Sequence, residues 1–226
     1  MSAGSSALAD PVIRILLIGR DASGKSSSGN KILGKRYSEN ELGICEEVTQ
    51  IDGKQVAVID CSDLLDPDLN EEKLEMMKEQ LVSQYSAGLS SVLLVVPLVK
   101  SVLNEEEILD YMKCLFGHEV QKYFIILFTH EDELEDLDQT IDEHLQKYED
   151  LQQLVTECRG NFHCFNNKNK SDDQVQELLQ KIEGMMVENR GKTHLSKISK
   201  VAVSVALFFS SVAETSQIHS LYTLSL

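Results

Sequence analysis

Residues 19–26 of the chain read Gly19-Arg20-Asp21-Ala22-Ser23-Gly24-Lys25-Ser26, which has the form G-x-x-x-x-G-K-S. An apolar run at 12–18 precedes this stretch, and a segment compatible with a helix, 25–33, follows it. A buried strand that ends in such a loop and opens a helix points backbone N–H groups at the oxygens of a phosphate. The stretch therefore predicts a nucleotide phosphate site, and the alternative is a structural turn that contains glycines.

Two side chains of this stretch carry specific expectations. Lys25 would place a positive charge near the β and γ phosphates, and Ser26 would place its hydroxyl on Mg²⁺, which usually keeps one or two protein oxygens. The residues expected to line the phosphate site are Gly19, Arg20, Asp21, Ala22, Ser23, Gly24, Lys25, Ser26 and Ser27.

Length and charge exclude some classes of partner. The 226 residues suffice for one sizeable core, and the net charge of −16 argues against nucleic acid, whose own backbone is polyanionic. The cysteines are five in number, far apart and without metal-binding spacing. We interpret them as reduced thiols of a cytoplasmic protein that act as small buried hydrophobes.

Strand-like and helix-like segments alternate along the chain, which is typical of an α/β fold with a mainly parallel central sheet flanked by helices. The predicted strands are 13–18, 47–51, 55–60, 91–97, 123–128 and 162–165. The predicted helices are 25–33, 70–87, about 105–116, about 139–157 and one that starts just after 173 and ends near 188. The turn Asp52-Gly53 makes the second and third strands a hairpin.

Asp60 ends a predicted strand, where sheets of this kind place their ligand crevice. A carboxylate there can hold Mg²⁺ through water, and a turn aspartate without a ligand is the alternative. Nucleotide hydrolases sense a third phosphate with a backbone N–H in the following loop, at an Asp-x-x-Gly glycine. This chain carries Asp63 at that position, which we expect to add negative charge where the phosphate would approach.

Four segments together resemble the immunity-associated nucleotide-binding protein family, GTPases related to the septins and the chloroplast-import GTPases. The segments are 19–34, 58–63, 128–132 and 165–168, and the resemblance covers about residues 10–193. The string Gly-Lys-Ser-Ser-Ser-Gly-Asn-Lys-Ile-Leu-Gly at 24–34 is similar to the family's most distinctive motif. The resemblance implies a P-loop G domain that binds GTP or GDP with Mg²⁺, a homo- or heterodimer with a like G domain, and slow or absent hydrolysis in some members.

The resemblance also implies where the base would bind. Residues 129–132 look like the family's variant of the guanine-reading element, with Thr129 at its start and His130 beside or over the base. Asp132 is the preferred base reader, and Glu133 takes that role if the register is counted back from Leu134. Asn166 and Asn167 would contact the base edge, while an exposed loop histidine and an asparagine-rich turn are the respective alternatives.

Hydrolysis is where the chain departs from the family. Members usually carry a threonine near the metal between the first helix and the second strand, whereas residues 39–45 contain none. Thr49 lies in a predicted strand and is not expected to reach the ligand. We therefore expect a guanine-nucleotide switch or scaffold with weak turnover, and the alternative is a pseudo-GTPase interaction module that no longer binds or cycles nucleotide. No catalytic residue is assigned.

The chain is predicted to divide into a flexible N-terminus at 1–10, the G domain at 11–193 and a hydrophobic tail at 194–226. The uncharged run 201–213 is short for a membrane span, which needs about 20 residues. Lysines just before this run could pair with anionic headgroups, so the tail could attach the protein to an intracellular membrane surface. Packing of the tail on the domain itself, or disorder, is the alternative.

Overall fold

One sheet dominates the computed structural model, which describes residues 12–36, 44–84, 88–98, 105–166, 168–169 and 171–189. Within those ranges the strands are β1 (Ile13–Ile18), β2 (Ile44–Ile51), β3 (Lys54–Cys61), β4 (Ser91–Pro97), β5 (Phe124–Thr129) and β6 (Phe162–Phe165). Their order across the sheet is β2-β3-β1-β4-β5-β6. The β2–β3 pair is antiparallel and the other four pairs are parallel. The predicted α/β fold with a mainly parallel sheet is confirmed.

Helices follow most strands of the sheet, as right-handed crossovers between parallel strands require. They are α1 (Lys25–Leu33), α2 (Glu71–Gln84), α3 (Glu105–Phe116), α4 (Glu131–Glu135), α5 (Ile141–Lys147), α6 (Glu149–Glu157) and α7 (Asp173–Glu188). A 3-10 helix, His118–Tyr123, leads into β5. Tyr123 therefore belongs to that turn rather than to the strand in which the sequence placed it.

The core lies on both faces of the sheet because successive side chains of a strand point to opposite sides. In β1, Leu16 and Ile18 belong to the core layer that also contains residues of α2, α3, α5 and α6, whereas Ile15 and Leu17 belong to the layer that contains residues of α1 and α7. The last helix, α7, packs on the sheet through buried side chains, among them those of Val175, Leu178, Leu179 and Ile182. Strands buried on both faces need nearly continuous apolar runs, which is the pattern that the sequence shows.

The helix predicted over 139–157 is wrong as one element, since the structure has α5 and α6 with a break at Tyr148. Tyr148 has φ −117° and ψ 100°, which is outside the helical region. Its ring lies 4.6 Å from that of His144, whose Nε2 contacts the backbone carbonyl of Leu98 at 3.0 Å. Thr140 and Glu143 form a capping box that starts α5. The apolar spacing continues across the break, so periodicity did not reveal it.

Two smaller expectations have mixed outcomes. The turn of the hairpin is confirmed, with φ of 48° at Asp52 and 81° at Gly53. The cysteines are free thiols, but only Cys61 and Cys158 are buried, and Cys114 is exposed. Burial raises the pKa of the Cys61 thiol to about 12, so that thiol stays protonated.

Candidate nucleotide site

The candidate site lies at one edge of the sheet, because the carboxyl ends of parallel strands meet there. The loop 19–24 leaves the end of β1, Asp60 is the penultimate residue of β3, and Thr129 ends β5. Asn166 follows the last residue of β6. The sheet thus brings together the segments that the sequence predicts to bind phosphate, metal and base, which are far apart along the chain.

The loop 19–24 has the backbone conformation of an anion cradle. Gly19, Ala22 and Gly24 have φ of 152°, 56° and 97°, which turn the chain back toward the start of α1. A Cβ on Gly19 would lie 2.6 Å from the backbone oxygen of Val95. Gly24 precedes α1 and supplies no side chain to cap it, so the first N–H groups of that helix face the loop. We refer to residues 19–26 as the P-loop.

Lys25 is held inside the P-loop. It is buried, and its Nζ donates to the backbone oxygens of Gly19 at 2.9 Å and Arg20 at 2.7 Å. Burial lowers the pKa of Lys25, and the charges of Asp60, Asp63 and Asp21 act in the opposite direction. The ammonium group is thus the buried cation of a site that contains several carboxylates.

Ser26 and Asp60 form the candidate metal pair. The Ser26 hydroxyl donates to Asp60 Oδ2 at 3.0 Å, which brings two hard oxygen donors from α1 and β3 together. Mg²⁺ prefers such oxygens and usually keeps several waters. The donor set therefore fits the predicted ion.

Asp63 differs from the sequence-based expectation, which treated it only as an obstacle to phosphate. The side chain is buried, and its Oδ2 accepts the backbone N–H of Asp21 at 2.9 Å. Its Oδ1 accepts the N–H of Leu65 at 2.9 Å, and Arg20 Nε lies 3.4 Å from Oδ2. The carboxylate thus connects the loop after β3 to the P-loop, a role that the sequence did not indicate.

On the base side, Thr129 connects β5 to the P-loop. It is buried, and its Oγ1 donates to the backbone oxygen of Ser23 at 2.9 Å. His130 follows with φ 64° and precedes α4, and its Nδ1 lies 3.2 Å from Glu133 Oε1. The charge of Asp132 instead acts on Lys31 of α1. The two candidate base readers therefore have different neighbours.

The Asn166 side chain forms hydrogen bonds within its own loop. Its Oδ1 accepts the backbone N–H groups of Lys168 at 2.9 Å and Asn169 at 3.1 Å, which forms the turn that was the alternative interpretation. Asn167 lies outside the described residues. Ser27 is exposed and lines a groove of about 470 Å³ between α1 and residues 169, 171 and 172.

Lys31 is the residue of this region that the sequence analysis missed. Its Nζ donates to the Asn166 carbonyl at 2.8 Å and to Gln174 Oε1 at 2.6 Å. The same nitrogen lies 4.9 Å from the centre of the Phe165 ring. Burial lowers the pKa of Lys31, against the charges of Asp132 and Glu131. No local pattern marks this lysine, because its partners lie more than a hundred residues away in the chain.

A G-x-x-x-x-G-K-S loop between the first strand and first helix of a mainly parallel sheet defines the class of P-loop nucleotide-binding folds. The model of the AIG1 family matches residues 13–210, so the chain belongs to that family. The expected family resemblance is thereby confirmed.

Curated relatives are about one-third identical to the chain. Immune-associated nucleotide-binding protein 9 of Arabidopsis thaliana is 31% identical over 203 residues, which are 84% of this chain and 59% of the relative. GTPase IMAP family member 8 of Homo sapiens is 31% identical over 195 residues, 81% of this chain and 29% of the relative. The chain therefore spans less than two-thirds of the length of both relatives.

Solved structures support the fold. Toc33 from Arabidopsis thaliana, in complex with GDP and Mg²⁺, has a TM-score of 0.58 at 16% identity and covers 81% of this chain and 88% of its own. The FeoB G-domain from Methanococcus jannaschii has a TM-score of 0.53 at 18% identity, with 77% and 97% covered. At these identities the likeness shows the G-domain fold alone.

Proposed function

We propose that the chain binds a guanine nucleotide with Mg²⁺ at the edge of the sheet that carries the P-loop. The observation that carries this proposal is the P-loop itself, in which the N-terminus of α1 and the buried Lys25 face one cradle. The names of family relatives as nucleotide-binding proteins and GTPases agree with it.

The phosphates would bind to the backbone N–H groups of the P-loop and to Lys25, with Ser27 at the far end of the cradle. Mg²⁺ would be held by Ser26 Oγ and, directly or through water, by Asp60. When bound, the ion neutralises charge on the phosphate chain. Lys25 would exchange its two carbonyl acceptors for phosphate oxygens, which are stronger partners because they are charged.

For the base, we propose Asp132 as the reader of the guanine N1–H and amino group. Glu133 already contacts His130 within α4, whereas Asp132 acts electrostatically on Lys31, which holds the Asn166 loop. His130 would lie beside the base, and Asn166 and Asn167 would border it. Thr129 would hold the P-loop in place through its hydrogen bond to the Ser23 backbone oxygen.

We further propose that turnover is weak. Residues 37–43, which include most of the segment lacking a threonine, lie outside the described residues. Thr49 pairs with Val56, four residues before Asp60 in β3, which puts it about 13 Å from the metal pair along the strand. At that distance Thr49 does not offer its hydroxyl to the metal pair. Little hydrolysis of GTP in a single-turnover assay of the purified chain would agree with this.

The proposal also includes a dimer in which the chain pairs with a like G domain across the bound nucleotide. The published structures of Toc33 include a dimerization-deficient mutant, and dimerization is described as important for the GTPase activity of that protein.

The second candidate function, a pseudo-GTPase module, is favoured by Asp63 in place of the sensing glycine. Attachment to a membrane surface would involve the tail, which lies outside the described residues. No helix among the described residues has the length and apolar character needed to cross a membrane.

The experiment that tests the proposal is a titration of nucleotide-free protein with fluorescent GDP in the presence of Mg²⁺. We expect saturable binding that Lys25→Ala reduces by at least about a hundredfold, since a buried phosphate contact of a cation is lost. Lys35→Ala is the matched control, because Lys35 is more exposed and lies outside the P-loop. Absence of binding by the folded parent protein would support the pseudo-GTPase module instead.

A further inference from the structure

We propose that Asp63 makes this chain selective for a guanosine diphosphate over a triphosphate. The inference rests on the proposed nucleotide site and concerns only the end of the phosphate chain. It starts from the contacts of Asp63 and from the charge of the cavity beside the P-loop.

Asp63 occupies hydrogen-bonding groups that a third phosphate would use. Its Oδ2 accepts the Asp21 N–H of the P-loop at 2.9 Å and lies 3.4 Å from Arg20 Nε. An N–H and a guanidinium are the partners that proteins offer to phosphate oxygens. The Asp63 carboxylate therefore already occupies, on this side of the P-loop, groups that would otherwise bind phosphate oxygens.

The same contacts restrain the loop that follows β3. Asp63 Oδ1 accepts the Leu65 N–H at 2.9 Å, and Arg20 Nη1 donates to the Leu65 carbonyl at 3.3 Å. A glycine at position 63 would be able to rotate its N–H toward a γ phosphate, which is how GTPase switch loops become ordered. Here such a rotation would first have to break the bonds that join residues 20–21 to residues 63–65.

The negative charge of the cavity next to the P-loop also disfavours a third phosphate. Among the described residues, five carboxylates and one cation, Arg20, line a cavity of about 540 Å³ next to the P-loop. The carboxylates are Asp21, Asp63, Asp66, Asp68 and Glu105. A triphosphate would bring additional negative charge to this cavity, and like charges repel most strongly near the buried carboxylates of Asp63 and Glu105. A diphosphate is one phosphate shorter and would bring less negative charge toward the cavity.

The test compares GDP with the non-hydrolysable triphosphate analogue GMPPNP on the nucleotide-free full chain, by calorimetric titration with Mg²⁺ present. We expect GDP to bind at least about tenfold more tightly than GMPPNP, a difference of about 1.4 kcal/mol. Asp63→Gly should bring the two dissociation constants to within about threefold, mainly through tighter binding of GMPPNP. Asp63→Asn keeps a hydrogen-bond acceptor but loses the charge. It should also lower the ratio of the GMPPNP dissociation constant to the GDP dissociation constant.

The control is Asp150→Asn, which removes one negative charge at an exposed position of α6 and should leave the ratio unchanged. Equal binding of both nucleotides by the parent chain, or an unchanged ratio in both Asp63 variants, would overturn the selectivity while leaving nucleotide binding intact. If the folded parent chain binds neither nucleotide, the proposed function fails and the selectivity fails with it.

Discussion

Gly19 follows the last residue of β1 and lies against the backbone of β4. Its φ is 152°, and an added Cβ would meet the Val95 oxygen at 2.6 Å and Ser23 Oγ at 2.9 Å. The Val95 oxygen belongs to the backbone of a central strand and cannot move aside cheaply. Only a residue without a side chain lets the P-loop begin at this point.

Gly19→Ala is therefore expected to lower the free energy of unfolding by about 2–4 kcal/mol, through overpacking and backbone strain, and to abolish nucleotide binding. Chemical denaturation and the GDP titration measure the two effects. Gly184→Ala is the matched control, because no atom lies within 4 Å of its added Cβ in α7. That change should be neutral or stabilising by up to about 1 kcal/mol. Similar losses of stability in both variants would contradict the prediction.

Helix α1 positions both ends of the candidate site. Its first residue is the P-loop lysine, and Lys31 near its end holds the Asn166 carbonyl and Gln174 Oε1. Gln174 Oε1 also accepts the Asn166 N–H at 3.1 Å, so α1, α7 and the loop after β6 meet at one side chain. The helix thereby connects the P-loop to the loop after β6, which are the proposed phosphate and base sides of the site.

Lys31→Met keeps the apolar stem but removes the donors, and it leaves partly buried acceptors without this partner. We expect a loss of about 1–2 kcal/mol of stability and roughly tenfold weaker GDP binding, because the base loop loses its anchor. Lys35→Met, at a more exposed ion pair with Glu47, should change each quantity little. Urea denaturation and GDP titration of both variants make the comparison. Unchanged GDP affinity in Lys31→Met would show that the base does not depend on this loop.

The molecule as a whole combines an acidic surface with a buried histidine. His163 of β6 is 4% exposed, and its Nε2 donates to the Gln174 carbonyl at 2.8 Å. Burial lowers the pKa of His163 to about 4, and the positive charges of Lys181 and Lys31 add to that effect. The folded protein thus holds a neutral imidazole over a range in which an exposed histidine takes up a proton.

A histidine whose pKa is lower in the folded state binds its proton more readily in the unfolded state. Its contribution to stability is therefore complete above about pH 6.5 and is lost as the pH falls toward about 4. This loss amounts to about 3 kcal/mol at most. The measurement is urea denaturation between pH 7 and 4. His163→Gln should lose less stability over that range than the parent protein, while His118→Gln, an exposed control, should follow the parent. Parallel curves for all three would contradict the assignment.

Short-range patterns in the chain were enough for much of the architecture. The central strand Ser91–Pro97 was predicted to the residue, and the P-loop, its helix and the hairpin turn lie where the motif and the turn residues indicated. These features depend on side-chain alternation, a fixed motif spacing and residues that favour positive φ, all of which act between near neighbours. The break at Tyr148 was missed because it does not interrupt the apolar period, and α4 was missed because its five residues, mostly acidic, are too few to show one.

Contacts between distant segments could not be predicted in this way. Asp63 and the Asp21 N–H are 42 residues apart, and Lys31 and Asn166 are 135 residues apart. Their partners depend on which strand ends lie side by side in the sheet, which no local pattern encodes. The sequence was sufficient to place an anion cradle after the first strand, because that feature is built within eight residues. Only the tertiary structure decided which groups surround the cradle, because the order of the strands sets which loops lie at the same edge of the sheet.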